Sequence, residues 1–183
     1  MKIIVLSITH PLQLLEDPAD TEDLQTSKAQ LRAILEAQFA KESVGAIFEE
    51  CSFTKESIAA ELARAHDPEV PWHNICMTED ERKAAGIYDA LRNRPSRPDD
   101  NMEYTIEERI PEDEIREEHF VEQILTEEHV EGDVLVLVGD MQAEPVANRL
   151  RARRHNVEVR DELVPIKRWT DCRILEVQQP PED

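Results

Sequence analysis

Val134-Leu135-Val136-Leu137-Val138, running straight into Gly139-Asp140, is the stretch that decides the fold. An unbroken apolar run without polar alternation suits a strand covered on both faces, which predicts a parallel sheet between helices. Downstream, Val146, Ala147 and Leu150 recur at helical spacing. That helix closes on Arg151, Arg153, Arg154 and His155, cations that suit its C-terminal dipole. Val157-Glu158-Val159 reads as a further short strand, and Arg173 to Val177 as a candidate edge strand. Upstream, Pro111 followed by Glu112, Asp113 and Glu114 opens a helix whose apolar face is Val121, Ile124 and Leu125.

The N-terminal half repeats the logic. Ile3-Ile4-Val5-Leu6 and Val44-Gly45-Ala46-Ile47-Phe48 are buried-strand runs, and His73-Asn74-Ile75-Cys76 is a shorter strand candidate. A helix follows the first run, with Asp20-Thr21-Glu22-Asp23 at its start and Leu24, Leu31, Ile34 and Leu35 along one face. Thr54 caps a second helix through Ile58, Leu62 and Ala65, and Thr78-Glu79-Asp80-Glu81 is a capping box that starts a third. Strands alternating with helices predict a three-layer α/β/α fold with a mostly parallel sheet, Rossmann-like in layout. Residues 1–177 make one domain, 93–110 a surface loop or lid, and 178–183 a disordered tail.

Charge excludes several functions. With 41 acidic against 21 basic side chains the net charge is −20, which repels phosphate backbones and opposes binding to nucleic acid or anionic membrane. The apolar run at the N-terminus is too short for a transmembrane helix or a signal peptide's apolar region. Cys51, Cys76 and Cys172 are sparse and odd in number, which points to a reducing compartment, and the cytoplasm is the expected address. Only four glycines occur, and no phosphate-cradling glycine loop, dinucleotide fingerprint or serine nucleophile elbow is present.

Ligands of open α/β sheets sit beyond the carboxyl ends of the strands. Thr9-His10 follows the first strand and Glu49-Glu50 the second, Cys76 ends the third, and Gly139-Asp140-Met141-Gln142 follows the fourth. An imidazole and carboxylates on one rim supply either a divalent-cation site from His10, Glu49 and Glu50, or a base with an orienting acid. Against this, a histidine before proline often caps a loop, and a Glu-Glu pair is common in so acidic a chain. Cys51 can serve as a nucleophile or as an inert buried thiol. Arg116 and His119, three residues apart on one helix, share a face that either turns to the rim or forms a solvated stripe. His66-Asp67 and His73 lie near the third strand as lesser candidate ligands.

Ser7-Ile8-Thr9-His10, Ile47-Phe48-Glu49-Glu50, Arg116-Glu117-Glu118-His119 and Val138-Gly139-Asp140-Met141-Gln142, taken together and in this order, resemble the TraB/Tiki–ChaN–erythromycin esterase-like superfamily. Ala143-Glu144-Pro145 and Asn148-Arg149-Leu150 also look like uncharacterised bacterial proteins of that type. The resemblance implies a hydrolase-like site of unknown substrate, metal-dependent where His10, Glu49 and Glu50 hold a divalent cation, with His10, Glu49, Glu50 and Arg116 as its catalytic group. Asp140, Gln142 and His119 would stand on its rim. Ser7 and Gln142 replace the glycine and the histidine that the superfamily carries there. An amide is a poor metal ligand beside imidazole, so the alternative is a non-catalytic module that binds a small molecule or a protein.

Overall fold

The computed structural model of the protein describes residues 1–8, 10–15, 20–41, 44–51, 56–93, 96–98, 105–107, 109–126 and 130–161. For residues 10, 11, 41, 96–98 and 105–107 only the backbone is described. The edge strand expected at 173–177 and the tail at 178–183 lie outside the described residues, as does Thr54.

The first apolar run is β1 (Ile3–Ile8), buried along its whole length, followed by a single 3-10 turn (His10–Gln13) and α1 (Glu22–Lys41). Next come β2 (Val44–Glu49), α2 (Ile58–Ala65) and β3 (Trp72–Asn74). Two short helices follow, α3 (Glu79–Ala84) and α4 (Tyr88–Arg92). The segment expected to be a loop or lid instead carries a small antiparallel ribbon, β4 (Ser96–Pro98) with β5 (Thr105–Glu107). The chain then forms α5 (Asp113–Leu125), β6 (Asp133–Gly139), α6 (Asp140–Ala152) and β7 (Val157–Arg160).

The main sheet has the order β3-β2-β6-β1-β7, and every pairing in it is parallel. Alternation along the strands divides the core in two. Ile4, Leu6 and Ile8 of β1, Ile47 of β2 and Leu135 and Leu137 of β6 pack against α1 and α2. Ile3 and Val5, Phe48, and Val134, Val136 and Val138 pack against α5 and α6 on the other face. This is the expected three-layer α/β/α arrangement. Both sides of β6 are buried, which is why its sequence shows no polar alternation.

The connections fix where a ligand would sit. β2 and β6 are neighbours, yet the helix after β2 covers one face and the helix after β6 covers the other. The gap between their carboxyl ends is therefore the topological switch point. No helix among the described residues is long and apolar enough to cross a membrane.

Candidate functional site

Register places the expected rim residues along a single edge. Ile8 pairs with Gly139 and Glu49 with Leu137, so three adjacent strands finish together. The backbone of His10 begins the turn after β1, Glu50 follows β2, and Asp140 opens α6 after β6. The side chain of His10 lies outside the described residues.

The acidic doublet does not act as a pair. Ile47 faces α1 and α2 while Phe48 faces α5 and α6, so continued alternation turns Glu49 to the first face and Glu50 to the second. The partners agree. Glu49, fully buried, accepts from Ser57 Oγ at 2.6 Å, Trp72 Nε1 at 2.7 Å and Gln13 Nε2 at 2.9 Å. Ser57 is also the N-cap of α2, its hydroxyl accepting from Ala60 N at 3.0 Å. One carboxylate thus ties the start of α2, the edge strand and the turn after β1 to the sheet. Gln13 completes the tie by donating also to the carbonyl of Glu50 at 2.9 Å.

Glu50, 2% exposed, accepts from Gly139 N at 3.1 Å and forms an ion pair with Arg116 on α5. Arg116 reaches Asp113 Oδ1 at 3.2 Å, and Asp113 Oδ2 accepts from Ile110 N at 3.0 Å. Burial works to discharge the Arg116 guanidinium, but Glu50 and then Asp113 outweigh it and hold its pKa above the ordinary value. The guanidinium therefore stays charged inside the protein, at the switch point. One turn further along α5, buried Glu117 pairs with Arg109 and lies 3.6 Å from Arg149 Nε of α6. Glu118 bonds both Arg149, at 3.3 Å, and Arg153.

Beyond β3, Asn74 holds the two strand ends together. Its amide donates to Cys51 O at 2.7 Å, and its Oδ1 accepts from Cys76 N at 2.9 Å. The Cys76 sulfur receives Arg82 at 3.1 Å. Burial, then the charge of Glu50, push this thiol's pKa up, more than Arg82 and Arg116 pull it down. It is a poor nucleophile at neutral pH. Cys51 is buried.

His119 does not share the environment of Arg116. It lines a shallow depression of about 460 Å³ with Met77, Ile115, Glu118 and Arg149, on the outer side of α5. Of the other rim residues, Gln142 is buried in the first turn of α6 and Asp140 is half-buried at its start. His66 bonds Pro68 O at 2.8 Å through Nδ1, and His73 stacks on Phe48. Among the described residues no three His, Cys, Asp or Glu side chains come together as a metal site requires. Glu49 and Glu50, with partners on opposite faces of the sheet, do not fit a shared cation.

Sequence reasoning missed Gln13, Ser57, Trp72, Asn74 and Asp113. Ser57 carried a readable signal, a hydroxyl residue directly before the apolar Ile58. Gln13 and Trp72 gave none, because their partner Glu49 is far away in the chain, whereas Asp113 and Asn74 each have one local partner, Ile110 N and Cys76 N, beside a distant role.

What fold and site define is a doubly wound α/β domain with a buried, charged switch point. No family model matches the chain, and neither the curated proteins nor the solved structures include a match to it.

Proposed function

We propose that the edge where β2, β6 and β1 end is a binding crevice for a small organic molecule, in a domain that does not hydrolyse it. The observation that carries this reading is the division of the doublet. Glu49 and Glu50 are both buried and hydrogen-bonded, on opposite faces, and neither is placed to share a metal ion or a water with the other. The descent that fits best is from the TraB/Tiki–ChaN–erythromycin esterase-like group, with Gln142 in place of the second histidine and hydrolysis lost. The partner is then a small molecule rather than nucleic acid or a membrane, given a net charge of −20. A cytoplasmic location follows from the sparse cysteines.

Metal analysis of purified protein and a thermal-shift screen of metabolites test the proposal together. The expected result is no stoichiometric divalent metal, a raised Tm with one or more compounds, and recovery of those compounds intact by mass spectrometry. A tightly held metal, with ester, amide or phosphoester turnover abolished in His10→Ala, would instead establish the metal-dependent hydrolase.

A further inference from the structure

Arg82 is a charged anomaly of this rim. It lies in α3, half-buried, and its Nε is shielded from solvent without a hydrogen-bond partner among the described residues. Among the described residues its one side-chain bond is to the Cys76 sulfur, a weak acceptor. No carboxylate of the described residues stands within ion-pair distance of it. Other cations beside the core have a carboxylate: Lys28 has Asp20, Arg32 has Glu61, Arg109 has Glu117 and Arg116 has Glu50. In a chain with 41 acids and 21 bases, a half-buried guanidinium left without a counter-ion is unexpected.

The nearby acids are engaged elsewhere. Glu81 is turned back onto Thr78, accepting from its N and its Oγ1 at 2.7 Å each, and Glu79 pairs with Lys83. Arg82 nonetheless belongs to the switch-point rim. Cys76, which it touches, lies within electrostatic reach of both Glu50 and Arg116. Arg116 is neutralised there by Glu50 and Asp113. Arg82 is therefore the guanidinium on this side of the crevice that keeps an N–H donor open. Burying a guanidinium with an empty N–H is unfavourable unless something brings an acceptor to it.

We propose that Arg82 receives the anionic group of the ligand, a carboxylate or a phosphate on a small molecule, with the Cys76 thiol beside it. This rests on the crevice reading above and adds to it the ligand's chemical class. A guanidinium takes either oxyanion through two parallel N–H bonds, Nε with one terminal nitrogen, so the unfilled Nε donor is the one such a contact would use.

The test follows the Nε–H resonance of Arg82 in ¹⁵N-labelled protein, assigned by its disappearance in Arg82→Lys. The probes are inorganic phosphate and malonate, with sodium chloride at matched ionic strength. A saturable shift with one oxyanion and none with chloride supports the proposal, and the preferred probe separates a phosphate ligand from a carboxylate one. Arg82→Met should weaken that binding about ten- to a hundredfold, the scale of a charge-assisted bond. It should also leave the urea midpoint of the free protein unchanged or higher, because it removes an unmatched buried charge. An unmoved resonance up to roughly 20 mM probe, well past a ~1 mM Kd, overturns the proposal, as does an equal shift with chloride. If a neutral metabolite from the thermal screen shifts the amides of residues 139–142 while Arg82 stays still, the anion assignment fails and the crevice stands. Silence at both places sinks both.

Discussion

Glu50 and Arg116 illustrate what a buried ion pair does at the end of a strand. Each is drawn out of water, and each is held by a second group, Gly139 N for the carboxylate and Asp113 for the guanidinium. Removing one partner leaves the other uncompensated in a poorly solvated place. Glu50→Gln should therefore lower stability by about 3 kcal/mol, near the low end for a broken buried pair because Asp113 remains. Urea unfolding reads this, and adding Arg116→Met to Glu50→Gln should recover part of the loss. A simple sum of the two single effects would show that the groups are not coupled. Trp72→Phe removes one of the donors to Glu49 and should cost about 1–2 kcal/mol in the same assay. Cys76 gives a pH prediction. Its folded pKa is raised above the ordinary 9.0, so above that value the unfolded chain releases the proton first. The thiol's contribution is complete below the unfolded pKa and is lost as pH rises through the folded one. Wild type should thus lose urea stability more steeply than Cys76→Ser on going from about pH 8 to about pH 10. Parallel slopes would mean that the thiol is not shifted. The doublet is legible in the sequence as strand-end chemistry, but adjacency suggests one group where strand alternation makes two. Two adjacent residues leaving a strand still obey its alternation, and Phe48, packed on the α5/α6 side, already implied where Glu49 and Glu50 would go.

Elements were legible where their signals are local. The run at 134–138 is β6, and the capping box at Thr78 is present with both of its bonds. The signal failed where capping had two candidates, so that α2 starts after Ser57 rather than after Thr54, and where short pairings carry no apolar period, as in β4 and β5. Two element-scale predictions come from the backbone. β2 has a register shift between Val44 and Ala46, and a Cβ placed on the intervening Gly45 would overlap Val130 Cγ1 and Glu131 O. One obstacle is backbone and cannot swing aside. Gly45→Ala should therefore destabilise by about 1–3 kcal/mol, and a thermal melt that matches wild type would place that loop farther from the sheet. At the end of α6, Arg154 has φ 68°, and the bonds Arg154 N to Arg151 O and His155 N to Leu150 O complete a Schellman closure. Every other requirement of that motif is met except the residue type. Arg154→Gly should raise stability by about 1 kcal/mol by relieving the left-handed strain, read as a higher urea midpoint.

At the scale of the whole molecule, the layered class could be read from the order of periodicities. The strand order could not, because nothing local tells β6 to insert between β1 and β2. That insertion brings Gly139 N to Glu50 and the β1 turn to Glu49, so the site's geometry is a product of topology rather than of any one motif. Charge is the other molecular property, and here two effects oppose each other. Salt weakens the attractive pairs on the surface, such as Lys2 with Glu158, which are worth little each in water. It also screens the mutual repulsion of the acidic excess, 20 charges spread over a chain of 183 residues. The pairs central to the fold, Lys28 with Asp20 and Arg116 with Glu50, are buried and respond weakly to ionic strength. Repulsion should therefore dominate the salt response. The Debye length falls from about 30 Å at 0.01 M to about 8 Å at 0.15 M, which separates most surface carboxylates electrically. Tm should rise over that interval, equally for sodium and potassium chloride. A Tm that falls instead would mean that exposed ion pairs outweigh the acidic excess in stabilising this fold.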